Sequence, residues 1–377
     1  MGSGASIEVL VVGTGFGRGF LHLYAEHPWV TRVGLCDIDS RELARVAAEF
    51  GIEDTYSSLD DALASGHWDA VHIATPVFLH VEQTLAVLAS GRACASAVPM
   101  ATSLDDIARV IDAVGDATYM MMETALYSRE YLHALSLRDS GRLGRISYLS
   151  GAHMQDLDGF PPYWMGYAPM QYATHIVAPL LGLAGVQAAS VSCLGSGELL
   201  PQHRGTSANS FPVESALFRL SGPDALAAQV TVSFFENARG YTEGFNVYGE
   251  YAALEWPSQE GDSPVLHVSG PNDAAHRGRP STRVVEPAPD VAHLLPESLR
   301  GFTRHGTWSA GRGMPLLDVD ASHGGSHPHL VHEFVSAVVQ ARPSAVDARI
   351  AASITAPGIV AHDSAMQGGA ALDIPQY

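Results

Sequence analysis

The sequence predicts an α/β chain: a doubly wound parallel sheet first, then an α/β domain built on an open, mainly antiparallel sheet. Three observations predict it. Short apolar runs alternate with amphipathic helical stretches through the first third of the chain. A glycine-rich turn follows the first of those runs. From Ile146 onward helical periodicity gives way to strand-like runs separated by turns.

Ile7–Val12 is mostly apolar, the pattern of a strand buried on both faces. It runs straight into Gly13-Thr14-Gly15-Phe16-Gly17-Arg18-Gly19. An amphipathic stretch with Phe20, Leu21, Leu23 and Tyr24 follows, and His27-Pro28 ends it. Small residues let the backbone approach a pyrophosphate, while the helix start offers unpaired N–H groups and a positive dipole end. Gly13, Gly15, Phe16 and Gly17 are therefore candidate dinucleotide contacts. Val33–Asp37 reads as a second strand ending in a carboxylate, 22 positions after Gly15. An acid there binds ribose hydroxyls and repels a 2′-phosphate, which favours NAD over NADP; Arg41 softens that preference. A glycine turn beside a solvated aspartate is the plainer reading, and the strand–turn–helix–strand order argues against it. The alternation continues with a helix over 41–50, a strand over 70–74 and a helix over 81–90. A strand over 93–97, a helix over 104–114 and a strand over 118–122 complete it.

A chain of 377 residues supports two domains, expected as a dinucleotide-binding domain over 1–123 and a substrate-binding and oligomerisation domain over 124–377. Forty acidic residues against 21 basic ones give a formal net charge of −19, which opposes nucleic acid and anionic membranes as partners. The 21 basic residues are all arginine, so no mechanism here uses a lysine ammonium. Cys36, Cys94 and Cys193 are too scattered for a disulfide framework or a metal knuckle. No apolar run is long enough to cross a bilayer, and the first residues lack a secretion signal's pattern; a cytoplasmic location is the expectation.

On these residues the sequence resembles the Gfo/Idh/MocA family of oxidoreductases, which includes glucose–fructose oxidoreductase and inositol dehydrogenases. The first turn and Asp37, Thr75-Pro76-Val77-Phe78-Leu79-His80, Pro99-Met100-Ala101-Thr102 and Gly141-Arg142-Leu143-Gly144-Arg145-Ile146 carry the resemblance. It implies a Rossmann domain with Thr75, Pro76, His80 and Pro99 near the cofactor, and a second domain whose open sheet holds the substrate. Homo-oligomers are implied as well. The sequence departs from the family pattern in four places. The third small position of the turn falls on Gly17 or Arg18, and Val77 replaces an asparagine. Ala97-Val98-Pro99 replaces a Glu-Lys-Pro signature and so lacks the catalytic lysine, and Gln171-x-x-x-His175 replaces an Asp-x-x-x-His pair. Met120–Glu130 and Gly324–Leu330 are similar to a branch that oxidises the 3-hydroxyl of glycosides, C-glycosides included.

Oxidation of a carbinol needs a base for the hydroxyl proton as hydride leaves carbon. Histidine is tuned for that near neutral pH. His175 is the candidate base, on a helix expected to begin near Pro169 with Gln171 one turn earlier; a core or capping histidine is the competing reading. His153 and Asp156 end the second domain's first strand and run into an aromatic loop with Tyr163 and Trp164, suited to a sugar or a flat aglycone. A loop packing on its own domain would carry the same residues. Glu123 and Tyr127 follow the last strand of the first domain and are candidates for positioning hydroxyls or relaying a proton, or for an interdomain hydrogen bond. His323 and His327 are candidate substrate contacts. With His329 and His332 they resemble a metal site, but Gly324-Gly325 and Pro328 argue against the regular helix it needs, so no metal is expected. Later strands are expected over 146–153, 188–194, 215–220, 227–235 and 245–256, a long surface excursion over 272–313, and helices over 321–341 and 348–366.

The functional expectation is an NAD-dependent oxidoreductase acting on a secondary hydroxyl of a small-molecule sugar or glycoside. Two alternatives remain open. One is a glycosidase or lyase that oxidises, eliminates and reduces again with retained NAD. The other is a non-catalytic, NAD-sensing binding protein.

Overall fold

The computed structural model describes residues 6–258, 261–272, 278–304, 306–309, 316–319 and 322–377. They fall into two compact units. The first comprises Met1–Tyr127 and Asp290–Ala352, the second Ser128–Pro289 and Ser353–Tyr377. A single cut near residue 123 therefore does not describe the chain, because the 290–352 segment returns to the first unit.

In the first unit the strands are β1 (Ile7–Val12), β2 (Val30–Cys36), β3 (Thr55–Tyr56), β4 (Ala70–Ile73), β5 (Ala93–Ser96) and β6 (Tyr119–Met121). They form one sheet in the order β3-β2-β1-β4-β5-β6, every pair parallel. The helices between them are α1 (Thr14–Glu26), α2 (Ser40–Phe50), α3 (Leu59–Ala64), α4 (His80–Ala89) and α5 (Leu104–Val114). Caps fix their starts: Asp39 accepts from the N–H groups of Arg41 and Glu42, and Ser58 and Ser103 each accept one N–H. The parallel strands are buried on both faces, so Val9, Leu10 and Val11 are wholly inaccessible.

In the second unit α6 (Arg129–Asp139), β7 (Ile146–Met154) and α7 (Thr174–Ala184) come first. The strands β8 (Ala188–Ser196), β9 (Val213–Leu220), β10 (Ala227–Ser233), β11 (Thr242–Gly249), β12 (Ala252–Glu255), β13 (Val265–Ser269) and β14 (Ser281–Val285) follow. In the segment that returns to the first unit, a strand pair, β15 (Gly306–Ser309) with β16 (Leu316–Val319), precedes α8 (Ser322–Gly325) and α9 (His327–Val339); α10 (Ala348–Met366) spans the boundary at 352–353, and β17 (Leu372–Asp373) belongs to the second unit. Among the described residues the second sheet runs β14-β13-β12-β11-β7-β10-β9-β8-β17. It is antiparallel except for the β7–β10 pair. Helix α7 lies on β7 and β11. Gly151 permits this: a Cβ there would stand 2.5 Å from Ile176 Cγ2 and 2.8 Å from the Gly244 carbonyl oxygen.

Four local expectations change. Pro169–Tyr172 is a separate 3-10 turn, and α7 begins only at Thr174, because the buried Glu214 carboxylate takes the Met170 N–H at 2.8 Å. The 245–256 run is a hairpin of β11 and β12, turning where a Gly249 Cβ would stand 2.2 Å from the Leu143 carbonyl oxygen. The 272–313 stretch holds β14, two 3-10 turns and β15; residues 273–277, 305 and 310–313 of it lie outside the described residues. The 321–341 helix is broken: His323 and Gly324 are left-handed, and α9 starts afresh at His327, while residue 321 lies outside the described residues. Helix α9 packs on α1 and buries Leu330, Val331, Phe334 and Val335, which draws this segment to the first unit.

Candidate functional site

Each unit gathers its own set of candidate residues. In the first, β1 delivers the chain to Gly13 at φ 94°, where a Cβ would stand 2.6 Å from the Ala74 carbonyl oxygen. Only glycine fits this turn, which aims the start of α1 outward. Gly15 has open space around its Cα, and Gly15 and Phe16 are exposed, so their N–H groups present a helix N-terminus to an anion. Gly17 is buried, and its missing Cβ would meet Val11 Cγ1 at 2.8 Å. It is therefore Gly17 that closes the turn onto the sheet, while Arg18 points out and pairs with Glu49. Asp37, at the end of β2, accepts from the Thr14 N–H at 2.8 Å and from Thr14 Oγ1 at 2.6 Å through Oδ2, and from the Asp39 N–H through Oδ1. It remains half-buried with acceptor capacity to spare, so the set fits a pyrophosphate beside two ribose hydroxyls.

Thr75, Pro76, His80 and Pro99 also meet. The His80 ring lies between two carbonyl oxygens, Pro99 at 2.9 Å from Nδ1 and Thr75 at 2.8 Å from Nε2. Burial pushes His80 below the usual imidazole range, against the pull of the two carbonyls. Thr75 Oγ1 donates to Gln83 Oε1 at 2.6 Å. Ala97 and Val98, where the family pattern has Glu-Lys, are buried and carry no titratable group. Glu123 is wholly buried and accepts the Ala125 N–H at 3.0 Å; Tyr127 closes the same 3-10 turn, half-buried.

His323 and His327 stand in the first unit, beside the glycine-rich turn. His327 packs 5.7 Å from Phe16 and 4.6 Å from Phe20, and His323 lies 5.5 Å from His327. His332 turns elsewhere, with Nδ1 3.0 Å from His27 Nε2. Among the described residues no group of three or more His, Cys, Asp or Glu side chains is arranged to hold a metal.

In the second unit His175 sits in the first turn of α7, with Nε2 3.6 Å from Glu243 Oε1. His153 near the end of β7 has Nε2 3.8 Å from the same oxygen, and the two rings are 5.9 Å apart. The Tyr241 hydroxyl donates to Glu243 Oε1, and Gln155 Oε1 lies 3.3 Å from His153 Nε2. Tyr172, Phe234 and Tyr241 close around His153, and Trp164 packs on Tyr172 at 5.3 Å. Tyr163 is 43% exposed beside Trp164, which leaves that edge of the cluster open. Asp156 is exposed, and its Oδ1 accepts the Asp158 N–H at 3.1 Å, which makes it a turn residue. Gln171 stays half-buried in the 3-10 turn before α7.

Glu243, Tyr241, Tyr172 and Phe234 were not among the candidates read from the sequence. Glu243 left one signal: it shares the strand face of Phe245 and Val247, both buried, and a carboxylate at such a position is unusual.

Residues 7–124 match the family model described as the Gfo/Idh/MocA oxidoreductase family, NAD-binding Rossmann fold. A protein named glycosyl hydrolase family 109 protein from Porphyromonas gingivalis is 25% identical over 206 residues, covering 48% of this chain and 43% of that one. One of the same name from Streptomyces niveus is 26% identical over 181 residues, covering 43% and 36%. The matches thus span less than half the length of those relatives. Among solved structures, levoglucosan dehydrogenase in complex with NADH superposes with a TM-score of 0.77 at 18% identity, over 99% of this chain and 100% of that one. An oxidoreductase from Agrobacterium radiobacter with NAD+, L-tartaric acid and magnesium gives 0.76 at 17%, over 98% of each chain. The myo-inositol 2-dehydrogenase of Lactobacillus plantarum gives 0.71 at 18%, over 98% and 100%. At such identities the structures speak for the shared fold, whereas the family model, the exposed helix N-terminus and Asp37 speak for the nucleotide. Residues 7–124 are an NAD-binding Rossmann domain of the Gfo/Idh/MocA oxidoreductase family.

Proposed function

We propose that the chain is an NAD-dependent oxidoreductase that oxidises a secondary hydroxyl of a sugar or glycoside, with His175 taking the hydroxyl proton. The observation that carries this reading is the buried cluster of His175, His153 and Glu243, ringed by aromatic side chains, in a chain that also holds an NAD-binding domain. NAD, when bound, supplies the hydride acceptor. Gly13, Gly15, Phe16, Gly17 and Asp37 bind and orient it, and the loop tied by His80 stands beside them. His175 removes the O–H proton as the C–H hydride departs, so the carbinol loses both and becomes a ketone. Tyr172 and Trp164 present ring faces to the apolar side of a sugar, with the wholly buried Phe234 packed behind them, and Gln155 and Tyr241 supply polar groups for its hydroxyls. The sugar 3-hydroxyl is the position favoured by the sequence resemblance.

Incubation of the purified chain with NAD and a panel of glycosides, including 3-deoxy analogues, tests this. The expected result is a keto-sugar and NADH in equal amounts, with the 3-deoxy analogues inert. In the active case His175→Ala keeps NAD binding and loses about 10²- to 10⁴-fold in turnover. No keto product from any sugar rejects the oxidoreductase reading, and near-normal turnover removes His175 from the base role. The relatives named glycosyl hydrolases favour a second reading, in which oxidation is followed by elimination and reduction. Its signature is a released sugar with no net NADH.

A further inference from the structure

We propose that Glu243 is the positioning residue of this site: its carboxylate holds the His175 and His153 rings and fills the supporting role that an acid at position 171 would otherwise have. The proposal rests on the reading of His175 as the base. His153 and Glu243 are directly opposed in the antiparallel pairing of β7 with β11, on the face where α7 lies. Strand alternation puts Glu243 on the side of Phe245 and Val247, and its side chain is only 10% exposed. A carboxylate so placed is costly unless hydrogen bonds or positive charge meet it. Such groups meet this one: the Tyr241 hydroxyl donates to it, and the Nε2 atoms of His175 and His153 stand at 3.6 Å and 3.8 Å. Gln171 carries no charge at any working pH, so it can orient an imidazole but cannot stabilise an imidazolium as a carboxylate would.

Both histidine contacts are ion-pair lengths rather than hydrogen bonds, so the carboxylate acts on the rings by its charge. One carboxylate faces two imidazoles 5.9 Å apart, so a proton on one ring disfavours a second proton on the other. Other titratable groups stand around α7: Glu214 of β9, 2.7 Å from His362 of α10, holds the turn that leads into it. The 3-10 turn before the helix brings Tyr172, and the end of β10 leads into uncharged Phe234. Helix α6 brings Tyr131 and Arg138, which reach the far end of α7 at Gly182.

The test uses the full chain labelled with 13C-histidine, with the His175 and His153 signals assigned through the His175→Gln and His153→Gln variants. Glu243→Gln is expected to move the first apparent titration of the pair about one pH unit lower, and Glu243→Asp by less. With an active sugar, the acid limb of kcat/KM moves the same way while NAD affinity stays constant. A residue that served folding alone would lower activity without moving either titration. Unchanged histidine titrations in folded Glu243→Gln protein overturn the proposal. Should that variant not fold, Tyr241→Phe removes a competing donor from the carboxylate and is expected to move the titration upward; no movement there overturns the proposal equally. The titrations need no turnover, so they stand apart from any failure of the glycoside assay.

Discussion

The histidines of the two units keep different company. In the first, His27 and His332 bond each other at 3.0 Å, His72 meets the Tyr24 hydroxyl at 3.1 Å, His80 lies between two carbonyls, and His22 packs on Phe302. Burial pushes His22 down to about 4 and His27 and His72 down to about 3. In the second unit, every described histidine has a carboxylate oxygen within 4.0 Å. His133 has Glu286, His153 and His175 share Glu243, His203 has Glu236 and Asp158, His267 has Glu255, and His362 has Glu214. In the first unit these imidazoles act as neutral packing pieces, and the nucleotide set is built on backbone N–H groups and glycines. In the second, imidazoles are placed where a positive charge is answered. In a chain without lysine, the proposed proton chemistry draws on those groups.

Breaking a buried pair in the second unit is the largest expected effect on stability. Glu214 is wholly buried on β9; Oε1 is 2.7 Å from His362 Nδ1, and Oε2 takes the Met170 N–H. Glu214→Ala leaves both partners unanswered and frees the turn that leads into α7. It is expected to cost about 3–5 kcal/mol in urea unfolding. Glu214→Leu combined with His362→Leu is expected to recover part of that loss, because no unpaired imidazole remains and only the Met170 N–H is left unanswered. A cost below about 1 kcal/mol for Glu214→Ala would make the carboxylate an incidental neighbour and erase the contrast.

Acid sharpens the comparison from the other side. For His22, His27 and His72 the folded values lie below the ordinary 6.5, so the unfolded chain takes up protons first as pH falls. Stability from these groups is complete above about pH 6.5 and falls as pH drops toward 4 or 3, by up to about 1.4 kcal/mol per pH unit for each histidine. His72→Gln is expected to flatten that slope by one proton, measured as unfolding midpoints at neutral pH and near pH 5. An unaltered slope would show that His72 titrates alike in the folded and unfolded chain.

What the sequence revealed follows the same division. The first unit was legible because its determinants are local: Gly13, Gly17 and Asp37 lie on one strand–turn–helix–strand unit, and each apolar run read there as a strand is a strand of the parallel sheet. The site in the second unit depends on register. Nothing adjacent to Glu243 in the chain reveals that it sits across from His153, or that Gly151 lets α7 approach. The return of 290–352 to the first unit was equally hidden, since the apolar stripe of α9 shows that it is buried without showing against what.

The smallest effect tests whether the first unit binds through backbone rather than side-chain charge. Gly17 lies inside α1, where alanine is the better helix former by about 1 kcal/mol. The space disagrees: a Cβ would stand 2.8 Å from Val11 Cγ1 and 3.2 Å from the Ala74 Cβ, and Val11 is a stiff, wholly buried strand residue. Overpacking of about 1–3 kcal/mol outweighs the propensity gain, so Gly17→Ala is expected to destabilise by about 1 kcal/mol net. It should also weaken NAD binding, because the start of α1 must shift. Arg18 is 46% exposed and paired with Glu49 at the surface, so Arg18→Ala is expected to cost less than about 1 kcal/mol and to leave NAD affinity unchanged. Calorimetric NAD titrations of the two variants decide it. If Arg18→Ala weakens NAD more than Gly17→Ala does, a side-chain cation performs the binding here too, and the two units are less different than their histidines suggest.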